Sequence, residues 1–142
     1  MNSTIVIFPG TNREHDMAAA VEQASGKKPK FVWYNDTGFP KTDLIIVPGG
    51  FSFGDYLRSG AMAARSPAMN SVLEFASKGV PILGVCNGFQ ILTEVGLLPG
   101  ALIRNKNLKF ICRNVIIKVE VDDTIFTSRY SKGQTLSIPV AH

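Results

Sequence analysis

Apolar positions in this chain change their spacing at about residue 100. Before that point they come in short unbroken runs: STIVIF (3–8), KFVWYN (30–35), DLIIVPGG (43–50) and VPILGV (80–85). Runs of this length predict strands, and the third, DLIIVPGG, is almost continuously apolar, as expected of a strand covered on both faces. Between them lie stretches with helical spacing. EHDMAAAVEQAS (14–25) follows Thr11, which with Glu14 fits a capping box, and it runs out near Gly26. AMAARS (61–66) reads as helical. PAMNSVLEFASKG (67–79) opens on proline and closes on glycine, and NGFQILTEVG (87–96) follows the fourth strand.

Strands alternating with helices predict βαβ units, hence an α/β fold with a doubly wound, mostly parallel sheet. After Gly100 the pattern alternates instead. NVIIKVEV (114–121) reads as a half-exposed antiparallel strand, and TLSIPV (135–140) as another. No repeat, linker or low-complexity tract interrupts the 142 residues, so one compact domain over 1–142 is expected.

In an open parallel sheet, ligands bind in the crevice beyond the carboxyl ends of the strands. Three glycine-bearing loops leave such ends: FPGTN after the first strand, PGGFSFGDYLRSG after the third and GVCNGF after the fourth. Right-handed crossovers bring all three to one edge. Cys86 sits in the last of them as G-x-C-x-G, the pattern of a nucleophile elbow, in which a sharp strand-to-helix turn lifts the nucleophile above the sheet. Gly84 and Gly88 are expected where a side chain would crowd the neighbouring strand or helix. The helix N-terminus beyond Cys86 favours a thiolate, the reactive form. The backbone N–H of Asn87 is a candidate donor to a substrate oxyanion, with a second donor from Gly50 or Phe51 in the PGGF turn. The alternative for Cys86, a buried structural thiol, is disfavoured by that elbow context. Cys112, in KFICRNVII with no glycine turn beside it, is expected to pack in the core.

Composition narrows the setting. Hydrophobic residues make up 45% of the chain and charged residues 18%, a globular balance. The net charge is +4, with one loose basic group, Arg104, Lys106, Lys109 and Arg113. No stacking aromatics or RNA-binding signature accompany it, so it reads as a solvated or protein-facing surface, not a nucleic-acid site. No apolar run is long enough to span a membrane, and the start MNSTIVIFPG lacks the basic region and cleavage pattern of a signal peptide. Two cysteines are too few for a disulfide framework, so a reducing, cytoplasmic location is expected.

With these residues in view, the chain resembles the class I (triad) glutamine amidotransferases, and among them the glutaminase subunits of phosphoribosylformylglycinamidine synthase, from purine biosynthesis. FPGTNREHDM, PGGFSFGDYLRSGAMAA, GVCNGFQILTEVGLLPGAL, KFICRNV and SIPVAH carry the likeness from residue 1 to residue 142. GFSFGDYLR is the most specific segment, because other glutaminase branches depart there. Phe89 stands where relatives in tryptophan, GMP or carbamoyl phosphate synthesis usually carry histidine.

The resemblance implies a flavodoxin-like sheet and a thioester mechanism. Cys86 would attack the glutamine carboxamide while Gly50, Phe51 and Asn87 hold the oxyanion. Ammonia would leave, and water would release glutamate. Gln90 matches a family position that shapes the glutamine pocket; a polar residue in a first helical turn is its other reading. Phe53, Gly54, Asp55 and Arg58 line the pocket or face the partner. The implied partners are glutamine, the synthetase subunit and its small accessory subunit, with no nucleic acid and no membrane. The glutaminase step would need no cofactor or metal; ATP and magnesium are expected on the synthetase.

The chain departs from the family pattern at its end. A cysteine nucleophile needs a base oriented by a third group. In the family the catalytic histidine and its glutamate lie on a late loop, well beyond the counterpart of PVAH. Here the histidines are His15, at a helix start, and His142. The expectation is therefore an N-terminal portion of the domain that carries the nucleophile and lacks the complete triad. Two alternatives stay open at this stage: a binding or regulatory module of the same fold, and another elbow-cysteine α/β hydrolase.

Overall fold

Ile45, Ile46 and Val47 are fully or almost fully buried, so the double coverage expected of the third strand is realised; Ile5 and Val6 of the first are buried with them, whereas Phe31 and Trp33 of the second are exposed. The computed structural model describes all 142 residues and contains two units, residues 1–103 and residues 104–142. In the first, β1 (Ser3–Ile7), β2 (Lys30–Trp33), β3 (Leu44–Val47) and β4 (Ile82–Gly84) form one sheet in the order β2-β1-β3-β4. Every pair is parallel, with Ile5 opposite Phe31 on one side and Ile46 on the other, and Ile46 opposite Leu83. Successive side chains leave a strand on opposite faces. Ile5 and Ile46 therefore pack with Val21, Met17 and Ala18 of α1 (Glu14–Ser25). Val6, Ile45 and Val47 pack on the other face with Met69 and Val72 of α2 (Pro67–Ser77) and with Ile91 and Leu92 of α3 (Asn87–Glu94). Each fully buried isoleucine or valine contributes roughly 1.5–3 kcal/mol of transfer free energy. The sheet is doubly wound as the alternation predicted, and its order is the opening of the flavodoxin-like pattern.

Local chemistry differs from the sequence expectation in three places. Thr11 and Glu14 make no capping box: Arg13 is the N-cap of α1 and no side chain caps it. The Thr11 Oγ1 instead accepts the Phe8 N–H at 3.0 Å, while the Thr11 N–H donates to the Phe8 carbonyl at 2.9 Å, closing the turn after β1. The hydroxyl serves that turn, and the N-cap position falls two residues later, at Arg13. AMAARS yields only a 3-10 turn, Ala63–Arg65. The α-helix waits for Ser66, whose hydroxyl accepts the Met69 N–H at 3.4 Å, and for Pro67 at its first position.

The third difference is larger. In place of one compact domain, residues 104–142 form a unit of their own: an antiparallel ribbon of β5 (Cys112–Lys118) and β6 (Thr135–Ala141), in register from Cys112 opposite Ala141 to Lys118 opposite Thr135. Both late strands and their antiparallel sense agree with the alternating pattern. Val119 is the only buried residue of this unit. Cys112 is exposed, not packed in a core, because a two-stranded ribbon has no second layer to cover its faces. No helix in either unit is long and apolar enough to cross a membrane.

Candidate active site

In the order β2-β1-β3-β4 the chain leaves β1 toward one side and returns to β3 on the other, so the crevice opens beyond β1 and β3. The loops after these strands are stitched together there. The Phe51 N–H donates to the Gly10 carbonyl at 3.0 Å, the Asn12 N–H to Gly49 at 3.3 Å and the Phe53 N–H to Pro9 at 2.7 Å. Beside them β4 ends, and the Val85 N–H donates to the Val47 carbonyl at 3.0 Å, which holds the third loop against the end of β3. The three glycine-bearing loops thus share one edge.

Cys86 stands at the turn between β4 and α3 with φ 53° and ψ −110°, a conformation that costs a non-glycine residue on the order of 1–3 kcal/mol. Its side chain is exposed and free of any disulfide. The turn is possible because its flanks carry no Cβ. One built at Gly88 would collide with the Val47 carbonyl, and one at Gly84 would lie 2.6 Å from a Leu92 methyl and 2.8 Å from the Gly88 backbone. The crowding expected of both glycines is therefore real. As the first residue of α3, Asn87 has a backbone N–H that needs no partner inside the helix.

Of the two donors proposed from the PGGF turn, the structure separates one from the other. The Phe51 N–H is already given to Gly10, whereas that of Gly50 takes part in no backbone hydrogen bond. The geometry leaves the backbone N–H groups of Gly50 and Asn87 for a ligand oxygen. Phe51 lends a half-exposed ring at the rim.

The segment after Gly50 is wound in a left-handed sense: Phe53, Gly54 and Asp55 have φ of 53°, 71° and 55°. Phe53 turns inward, its ring edge-on to Tyr34 at 5.2 Å. That makes it an anchor of the loop, packed against the core. Asp55 is partly covered; burial pushes its carboxyl above the ordinary value, against hydrogen bonds with Asn87 and Ser59 that pull it down. Arg58 grips Glu94 near the end of α3 through two bonds, Nε to Oε1 at 2.7 Å and Nη2 to Oε2 at 2.6 Å. Those bonds hold the Glu94 carboxyl below the usual carboxylate range. Two concavities, about 280 and 500 Å³, flank this ion pair and not Cys86.

Gln90 lies one helical turn past the elbow, its N–H donating to the Cys86 carbonyl at 3.2 Å and its side-chain Oε1 accepting from Asn87 Nδ2 at 3.0 Å. His15 is not brought to the cysteine's service: it lies 3.8 Å from Glu14 and edge-on to Phe31, and its side chain is 88% exposed. His142 belongs to the ribbon unit, where its backbone pairs with Ile111. Two contributors were missed in the sequence. The Asn87 side chain is buried and hydrogen-bonded across the site, and Glu94 is the partner that fixes Arg58. A polar residue directly after Cys86, where an apolar one would pack as well, is the available signal for the first.

A strained cysteine between a parallel strand and a helix, with free backbone N–H groups beside it, defines an α/β protein of the elbow-nucleophile class. The family of CobB/CobQ-like glutamine amidotransferase domains matches residues 1–142, and the chain belongs to that family. It is 61% identical over 143 residues to the phosphoribosylformylglycinamidine synthase subunit PurQ of Rhodopseudomonas palustris (strain BisB18), covering 100% of this chain and 61% of that relative. With the PurQ subunit of Mesorhizobium japonicum it shares 58% identity over 142 residues, covering 100% of this chain and 64% of the relative. A solved structure of PurLQS from Thermotoga maritima superposes with a TM-score of 0.90 at 45% identity, covering 99% of this chain and 66% of that one. The chain spans about 61% of the length of the first of these relatives.

Proposed function

We propose that this chain carries the nucleophile half of a glutaminase that hydrolyses glutamine to glutamate and ammonia for phosphoribosylformylglycinamidine synthase. The observation that carries the reading is Cys86 at φ 53° on the strand–helix elbow, beside a Gly50 N–H that no backbone group accepts. The Cys86 sulfur adds to the carboxamide carbon of glutamine, and the carbonyl oxygen becomes an oxyanion between the N–H groups of Gly50 and Asn87. Each such donor is worth about 10²–10³ in rate. Collapse of the adduct expels ammonia and leaves a glutamyl thioester, which water cleaves to glutamate and the free thiol.

The base for these proton transfers is not His15, which faces Glu14 and Phe31. The family resemblance puts it and its orienting glutamate on a loop beyond the counterpart of residues 139–142. PurQ relatives and the PurLQS structure support delivery of the ammonia to a synthetase subunit, with a small accessory subunit, in de novo purine biosynthesis. ATP and magnesium belong to that synthetase partner in this scheme, which is set in the cytoplasm. The glutaminase step itself uses neither.

The test is covalent. The chloroketone analogue of glutamine should alkylate Cys86, its sulfur displacing chloride, and intact mass should report one adduct. Free glutamine should slow the reaction, and Cys86→Ser should abolish it. Alkylation that glutamine does not slow would favour the binding-module or general-hydrolase alternatives.

A further inference from the structure

Asn87 is 2% exposed, although it directly follows the exposed Cys86. Its Oδ1 accepts the Ser52 N–H at 3.0 Å across the site, and its Nδ2 donates to Gln90 Oε1 at 3.0 Å and, at 3.5 Å, to Asp55 Oδ1. These bonds fix a chain of polarities. A backbone N–H only donates, so the Asn87 atom facing Ser52 is its oxygen. The amide nitrogen then faces Gln90, whose facing atom has to accept and is Oε1. The Gln90 amide NH₂ is thereby left as a pair of donors with no protein acceptor, one helical turn from Cys86. The same bonds tie down the left-handed turn at 53–55, whose strain persists only while its surroundings over-determine it. Gly50, the free backbone donor, lies two residues before Ser52.

We propose that Asn87 is a positioning residue through its side chain: it locks the loop carrying Gly50 to the elbow and sets Gln90 as a hydrogen-bond donor, so that the site takes ligands presenting a carboxylate or carboxamide oxygen there. This rests on the glutaminase reading for its ligand and on the hydrogen-bond geometry for its mechanism. It makes Asn87→Asp informative. The carboxylate still accepts from Ser52, but it cannot donate to Gln90, so the Gln90 amide turns over and offers its oxygen to the ligand instead.

The experiment compares alkylation of Cys86 by the glutamine chloroketone and by iodoacetamide, which needs no amino-acid pocket, in the wild type and in Asn87→Asp. The chloroketone rate, divided by the iodoacetamide rate at the same pH so that any change in thiol reactivity cancels, should fall roughly tenfold or more, the scale of one charge-assisted hydrogen bond. The loss should shrink as pH is lowered and the new acid regains a proton to donate. Equal rates for both reagents, or a parallel fall in both, would overturn the proposal. Should Asn87→Asp fail to fold, Gln90→Glu replaces it: it still accepts from Asn87 but presents only acceptors, and the same selective loss is expected. If glutamine does not protect the wild type, the glutaminase reading fails by itself. The relay is then decided by NMR: slow exchange of the Asn87 side-chain amide protons with fast exchange at Gln90 upholds it, and the reverse overturns it.

Discussion

Ile5-Val6-Ile7 in β1 and Val115-Ile116-Ile117 in β5 are nearly the same tripeptide, yet the first two residues of the former are wholly buried while Ile116 is 70% exposed. The difference is neighbours. β1 is hydrogen-bonded on both edges, to β2 and to β3, and its two faces pack against α1 and against α2 with α3. β5 has one partner, β6, and no covering layer within its unit. An apolar run stabilises a strand only as far as the fold supplies surfaces to bury it, and a lone two-stranded ribbon supplies few. The candidate site lies in the better supported unit. A cysteine at φ 53° can be held only by a frame stiff enough to offset its strain.

This contrast is open to attack by substitution. Ile5→Ala should cost about 3–4 kcal/mol in urea unfolding, the scale of a large-to-small change in a packed core, whereas Ile116→Ala should stay within about 0.5 kcal/mol. Equal losses at the two positions would dissolve the distinction between the units. Gly88→Ala should come next, at about 3 kcal/mol, because its methyl meets the Val47 carbonyl and not a yielding side chain. Loss of Cys86 alkylation by the glutamine chloroketone should accompany it.

Two smaller effects probe how the first unit holds its glycine-rich loop, and they have opposite signs in pH. Arg58 keeps Glu94 below its ordinary value, so this contribution is complete above the usual glutamate pKa and is lost as pH falls through the lowered one. Glu94→Gln should therefore unfold at lower temperature than wild type at neutral pH, with the gap closing in acid. Arg58 is largely exposed, so the shift should be modest. Asp55 runs the other way. Burial raises it, so its charged form opposes folding as pH rises through the raised value. Asp55→Asn should melt slightly higher than wild type at neutral pH and match it in strong acid. A constant offset across pH in either case would remove the titration as the cause.

Much of the site was legible in the sequence, because its signals are local. The elbow needs glycines two residues either side of the cysteine, and the crowding at Gly84 and Gly88 shows why. The choice between the Gly50 and Phe51 donors was not legible. It depends on the Gly10 carbonyl, some forty residues earlier, taking the Phe51 N–H. Cys112 departs from expectation for a similar reason. Free cysteine is usually buried, but that average assumes a core, and the ribbon has none. The Thr11 and Glu14 spacing suggested a capping box, and the hydroxyl went to the Phe8 N–H.

The sequence by itself determined the strands, three of the helices, the parallel sense of the first sheet and the place of Cys86 at a strand–helix turn. Each is written in apolar spacing and in glycines that act within a few residues of themselves. Only the tertiary structure decided which backbone N–H groups stay free, that the Asn87 amide spans the site from Ser52 to Gln90, and that residues 104–142 form a unit apart. Those outcomes turn on partners distant in the chain. A hydrogen-bond donor or an apolar side chain carries no local record of whether another segment will arrive to meet it.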